Sequence, residues 1–241
     1  MKTLSSKNAN QNVKALKIVL NFIIAFLIIV LVSEILRFKE LFVSEMQSVR
    51  ELEKKCSKTR DKKVFFARWN RFPIEMGIDS SVPEEARISI IRAASKWSNV
   101  LGFKVFEFNP VRNKPFSSFD NQSVIYFVHK DWRGEKSYEA ETFSRFLPGS
   151  GIGIEADVLV NASDYRYSYD LAENGKIDFE SLILHELGHV LGIDHIDNGG
   201  VMNAFLAAGV VRRDLDQETI EVGSCIYSSF PRQVLLAQRN Y

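Results

Sequence analysis

The longest apolar stretch lies near the N-terminus. Residues 18–36 read IVLNFIIAFLIIVLVSEIL, broken only by Asn21, Ser33 and Glu34. As a helix they rise about 28 Å at ~1.5 Å per residue, just enough to cross a bilayer. The run exceeds the usual apolar region of a cleaved signal peptide, and the flank Val32-Ser33-Glu34-Ile35-Leu36-Arg37-Phe38 offers no small-x-small cleavage site. The pattern predicts an uncleaved transmembrane signal anchor over 18–36. Lys2, Lys7, Lys14 and Lys17 precede it without acidic company, whereas Arg37 and Lys39 are mixed with Glu34, Glu40 and Glu45. The positive-inside rule then keeps residues 1–17 in the cytoplasm and exports the remainder of the chain to the periplasm or the cell exterior.

Residues 37–63 are charged and free of proline, with Leu41, Phe42, Val49 and Leu52 too sparse for a heptad seam, and read as a stalk or linker. Residues 64–241 carry the patterns of one domain. Pro73 to Ile78 suits a short strand. Ser81-Val82-Pro83-Glu84 has capping-box spacing, and Ile90, Ala94, Trp97 and Leu101 follow at helical intervals, predicting a core-facing helix of about five turns. Strands are expected at Phe103–Phe108 by alternation and at Val124–Val128 by a continuous apolar run. Two more are expected at Glu141–Phe146, with Phe143 and Arg145 on one side and Thr142, Ser144 and Phe146 on the other, and at Ile154–Val160. Pro148-Gly149-Ser150-Gly151 separates these two with strong turn chemistry. Asp178 is the expected N-cap of a helix from Phe179 to Leu191 that stops at Gly192, and a last helix starts near Leu215 or Asp216 and runs past Tyr227. This order predicts an α+β domain with helices packed on a mixed, twisted, five-stranded sheet.

Composition narrows the function. With 46% hydrophobic and 25% charged residues, the 241-residue chain is neither a disordered tail nor a coiled-coil rod. Its net charge of +1 gives no field that would favour nucleic acid as a partner. Two cysteines are too few for a disulfide scaffold or a cysteine-based zinc fold, so the four histidines carry the chemistry.

Three of them fall in His185-Glu186-Leu187-Gly188-His189-Val190-Leu191-Gly192-Ile193-Asp194-His195, a gapless H-E-x-x-H-x-x-G-x-x-H. Four helical residues turn roughly 400°, so His185 and His189 lie one turn apart on one face and can reach one metal ion. Gly192 can take the left-handed conformation that ends the helix and returns His195 as a third ligand. Three neutral nitrogens with one open position describe a single catalytic Zn2+ site. Glu186, beside the ligands, suits a general base. A short His-Glu-x-x-His arises readily by chance; the added glycine and third histidine at fixed offsets do not. His129, at a strand end, has no spaced partner and is read as a hydrogen-bonded histidine rather than a ligand. Asp157, Asp164 and Asp170 lack ligand-loop spacing, so calcium is left unassigned.

This motif resembles the metzincin clan of zinc endopeptidases and, within it, the matrixins, the family of matrix metalloproteinase-type catalytic domains. Further likeness lies in Arg68-Trp69-Asn70-Arg71-Phe72-Pro73, Ala93-Ala94-Ser95-Lys96-Trp97, Phe146-Leu147-Pro148-Gly149-Ser150-Gly151 and Phe179-Glu180-Ser181-Leu182-Ile183-Leu184. The resemblance implies a zincin-like fold and protein or peptide substrates. It also implies a Met-turn at Val201-Met202-Asn203, with Met202 beneath the metal. Substrate would lie along the edge strand that contains Thr142, Phe143, Ser144, Arg145 and Phe146. Asn203-Ala204-Phe205 departs from the family's usual continuation, which puts the shape of the pocket for the residue after the scissile bond in question. A zinc hydrolase of a non-peptide bond such as a cell-wall amide, and a catalytically silent zinc-binding scaffold, stand as alternatives. Glu186 discriminates against the scaffold, which needs no glutamate there. Export would permit Cys56 and Cys225 to form a disulfide, with two unpaired thiols as the other outcome.

Overall fold

A computed structural model describes residues 26–40, 43, 47, 56, 66–111, 116, 117 and 119–227. The chain divides into two compact units, 1–54 and 55–241. In the first, residues 26–40 are helical and exposed. Among the described residues no helix is long and apolar enough to cross a membrane. Residues 18–25 of the expected anchor, the whole 1–17 segment and most of the 37–63 stalk lie outside the described residues.

The second unit is built on a five-stranded sheet. Its strands are β1 (Ile74–Asp79), β2 (Phe106–Val111), β3 (Ser123–Val128), β4 (Ala140–Leu147) and β5 (Ile152–Asn161), in the order β2-β1-β3-β5-β4. β1 pairs in parallel with β2 and β3, β3 with β5, and β4 alone runs antiparallel to its neighbour, so the sheet is mixed as the sequence predicts. A pair of two-residue strands, β6 (Tyr167–Ser168) and β7 (Ile177–Asp178), precedes the motif helix. They are too short for periodicity to show.

Two sequence expectations are corrected. The second strand begins at Phe106 rather than Phe103, and takes in Pro110. β2 is an edge, where a residue without an N–H is tolerated. The capping box at Ser81 does not form. Pro83 is the N-cap of α1 (Glu84–Leu101) and makes no side-chain cap bond. The Ser81 hydroxyl instead accepts the Phe127 N–H of β3 at 3.1 Å, so it is engaged across the fold rather than along the helix.

Ile90, Ala94, Trp97 and Leu101 of α1 are all buried, the stripe their spacing demands. α2 (Phe179–Val190) packs against α1, and its residues Ile183, Leu184 and Leu187 are fully buried. α3 (Gln217–Tyr227) covers α1 from the other end of the chain, and its expected continuation past Tyr227 lies outside the described residues. Cys225 of α3 and Cys56 form a disulfide, with Cα atoms 5.3 Å apart. It joins the chain before the sheet to the last helix.

Candidate active site

α2 carries the motif, and its placement is fixed from both ends. At its N-terminus the Asp178 carboxylate accepts the Ser181 N–H at 2.9 Å, the cap expected from sequence. Arg213 donates to the same carboxylate through Nε at 3.0 Å. Burial pushes the Asp178 carboxyl up, but the bonds from Arg213 and Ser181 outweigh it and hold the group below its ordinary range. Glu180, also buried, takes Arg92 and Lys96 of α1 at 2.7 Å each. At the C-terminus Trp69 Nε1–H donates to the Val190 carbonyl at 2.7 Å, and the Tyr227 hydroxyl to that of Leu191 at 2.7 Å.

Gly192 follows with φ of 87°, the left-handed turn that the motif requires. The chain passes so close to Ala67 that a Cβ at Gly192 would lie 2.6 Å from the Ala67 carbonyl carbon. That turn brings His195 back. His195 Nε2 stands 3.2 Å from His189 Nε2, and one ring nitrogen from each of His185, His189 and His195 lies within 4.8 Å of the others. Among the described residues these form the one group of three or more histidines, cysteines or carboxylates placed to hold an ion.

Two carbonyls orient His185 and His189. His185 Nδ1 is 2.7 Å from Val201 O, and His189 Nδ1 is 2.8 Å from Ile193 O. A carbonyl only accepts, so each Nδ1 carries the proton and each Nε2 keeps its lone pair for a metal. Burial, and then the neighbouring His189, take the His185 imidazole down to about 3, which keeps it neutral. Burial and His189 lower His195 as well. Convergent ring nitrogens, two of them on imidazoles whose orientation a carbonyl fixes, fit a zinc ion.

Glu186 is buried beside them and accepts the Thr142 hydroxyl on Oε2 at 2.5 Å. Its other oxygen has no protein partner among the described residues. Burial raises its carboxyl, against the pull of His189 and Thr142. Met202 is fully buried, and its thioether lies against Gly188, the residue before His189. The Met202 carbonyl accepts the Ile196 N–H at 2.8 Å, which ties the turn to the third ligand's strand of chain. A cavity of about 250 Å³ opens over these groups.

Of the five residues expected on the edge strand, only Thr142 reaches the cluster. Phe143 packs on Phe116, Phe146 on Phe66, and Arg145 pairs with buried Glu155 at 3.1 Å. The Ser144 hydroxyl is buried without a hydrogen-bond partner among the described residues. Among the described residues β4 nonetheless ends the sheet, paired with β5 alone. His129 stands apart from the cluster, exposed and 3.1 Å from Ser81 O through Nε2. Sequence reasoning did not single out the Val201 and Ile193 carbonyls, or Asp216, whose carboxylate accepts the Val201 N–H at 3.1 Å and steadies the Met-turn.

Comparison with known families decides the assignment. A family profile described as Matrixin matches residues 69–228. The chain is a matrixin. This matrixin is 28% identical over 169 residues to interstitial collagenase of Oryctolagus cuniculus, an overlap of 66% of the chain and 33% of that relative. It is 27% identical over 171 residues to metalloendoproteinase 2-MMP of Arabidopsis thaliana, covering 68% of the chain and 44% of the relative. The chain thus spans less than half the length of these relatives. Among solved structures, high choriolytic enzyme 1, a hatching enzyme zinc-protease from Oryzias latipes, overlaps with a TM-score of 0.36 at 13% identity. That overlap covers 69% of this chain and 95% of the other, and at that score carries no argument.

Proposed function

We propose that this matrixin is a zinc-dependent endopeptidase held at a membrane with its catalytic domain outside the cytoplasm. The observation that carries the reaction is the buried Glu186 carboxylate, set beside three convergent imidazoles at the floor of an open cavity. Zinc held by His185, His189 and His195 would supply a Lewis acid for the scissile carbonyl and lower the pKa of an attacking water. Glu186 accepts the proton from that water at its unpartnered oxygen and passes it to the leaving amine. Its raised carboxyl moves toward the range in which a base works near neutral pH. The Thr142 hydroxyl holds Oε2 and thereby aims the carboxylate. The free edge of β4 offers main-chain groups to an extended peptide, the support for a substrate strand along Thr142–Phe146.

Two observations support the location. The apolar side chains from Phe26 to Val32, with Ile35 and Leu36, are all exposed, which suits a helix surrounded by lipid. The Cys56–Cys225 disulfide suits an oxidising compartment.

The test is a pair of variants. Glu186→Ala leaves the imidazoles and should keep about one zinc per chain while losing about 10²–10⁴-fold in peptide cleavage. His189→Ala should lose zinc and activity together. Full activity in Glu186→Ala would remove the assigned base. A zinc-loaded wild type that cleaves no peptide in a broad library would favour the non-peptide hydrolase or the scaffold.

A further inference from the structure

The cavity beside the histidines has one cationic side chain in its lining besides the imidazoles, Arg212. Its neighbour Arg213 turns inward to Asp178, and the Arg212 N–H donates to the Ser181 hydroxyl at 2.7 Å, so the backbone at 212 is pinned to the first turn of α2. The guanidinium donates through one nitrogen to Phe205 O at 2.7 Å, and among the described residues no carboxylate pairs with it. It is half-buried, and His185, one helical turn beyond Ser181, lines the same cavity. Three acids besides Glu186 line the same cavity. Glu139 and Glu141 flank Ala140, the first residue of β4, and the Asp194 carboxylate accepts the His195 N–H at 2.8 Å. Among the described residues none of them pairs with Arg212, which leaves its positive charge on the wall formed by the start of α2 and the chain after the Met-turn.

We propose that Arg212 makes this wall a recognition site for a carboxylate side chain, so that the enzyme cleaves before Glu or Asp. This deepens the endopeptidase reading and rests on it, and on the pocket beyond Met202 receiving the residue after the scissile bond. Leu182, Val201 and Leu206 line the same cavity and would pack the methylene stem, while the remaining guanidinium N–H groups donate to the carboxylate. A single bond to Phe205 O leaves most of the fork's five donors for that purpose.

The experiment uses the full zinc-loaded chain and a random peptide library, and reads the residues at the new N-termini. Glu and Asp should exceed Gln and Asn by about tenfold, the low end for a charge-assisted bond at a half-exposed site. Added salt should erode that ratio. Arg212→Leu should abolish it in favour of apolar residues, and Arg212→Glu should shift it to Lys and Arg. Each variant keeps the backbone bond to Ser181, and zinc content with circular dichroism confirms the fold. Arg212→Lys, which keeps the charge without the fork, should retain a reduced preference. New N-termini that are apolar in the wild type and unchanged in Arg212→Leu would overturn the inference while the peptidase stands. No new N-termini from zinc-loaded wild type would overturn both.

Discussion

Gly192→Ala tests how the third histidine is delivered. Two costs add at this position. An L-residue at φ of 87° bears roughly 1–2 kcal/mol of left-handed strain. Its Cβ would also sit 2.6 Å from the carbonyl carbon of Ala67, and closer still to the oxygen. Backbone must then move on one side, an overpacking cost of about 1–3 kcal/mol. Gly102, which ends α1 at φ of 79°, is the control, because nothing lies within 4 Å of a Cβ there. Gly102→Ala carries the strain alone, and the loss of unfolded-state entropy common to both changes cancels in the comparison. Urea unfolding should therefore show Gly192→Ala less stable than Gly102→Ala by about 1–3 kcal/mol at similar m values. Zinc affinity should fall only in Gly192→Ala, since His195 lies three residues on. Equal destabilisation with equal zinc binding would refute the claim that close approach to Ala67 positions the ligand.

Acid should weaken the domain through Asp178, whose carboxyl is held below its ordinary range in the folded state. Its contribution is complete above the unfolded value of about 3.9 and lost as pH falls through the folded value, so Asp178→Asn should lower stability at neutral pH and flatten its decline below about pH 4 in a pH series of melts. Reducing the Cys56–Cys225 bond, which closes a separation of 169 residues, should cost about 2–5 kcal/mol, read as a lower urea midpoint in Cys225→Ser; an unchanged midpoint would deny it a structural role.

Much of the fold was legible because its signals are local. The stripe of α1, the cap at Asp178 and the glycine after α2 each lie within a few residues of the feature they specify. The zinc motif is contiguous and uses three of four histidines, so its geometry follows from helical spacing together with the turn at Gly192. Ser81 misled because its hydroxyl meets Phe127, 46 positions away, and no local pattern announces that competition. The same holds for Thr142 and Glu186, 44 positions apart: the strand is visible in the sequence, but not which of its residues turns to the Glu186 carboxylate. The Val201 and Ile193 carbonyls could not be read at all, since every residue but its neighbours offers the same acceptor. Arg212 lies in a loop with no periodicity, and only the fold shows which way adjacent arginines divide.

The buried charges at the start of α2 are better understood as positioning than as stability. Taking Asp178 and Glu180 out of water costs several kcal/mol each, and ion pairs of this kind often no more than offset that cost. Their gain is direction. Glu180 binds α2 to Arg92 and Lys96 of α1, and Asp178 binds it to Arg213 beyond the Met-turn. Trp97 donates to Leu184 O at 3.1 Å in the middle of the helix, where Gly188 lets Met202 approach. Trp69, Tyr227 and Phe66 hold the last carbonyls, the Phe66 N–H meeting Gly192 O at 2.9 Å. Successive turns of one helix are thus tied to different parts of the chain. A helix so constrained cannot rotate or slide without breaking several buried bonds at once, and His185, Glu186 and His189 inherit that rigidity. Preorganisation of this order would let the three imidazoles take a metal, and the carboxylate take a proton in the proposed reaction, with little rearrangement.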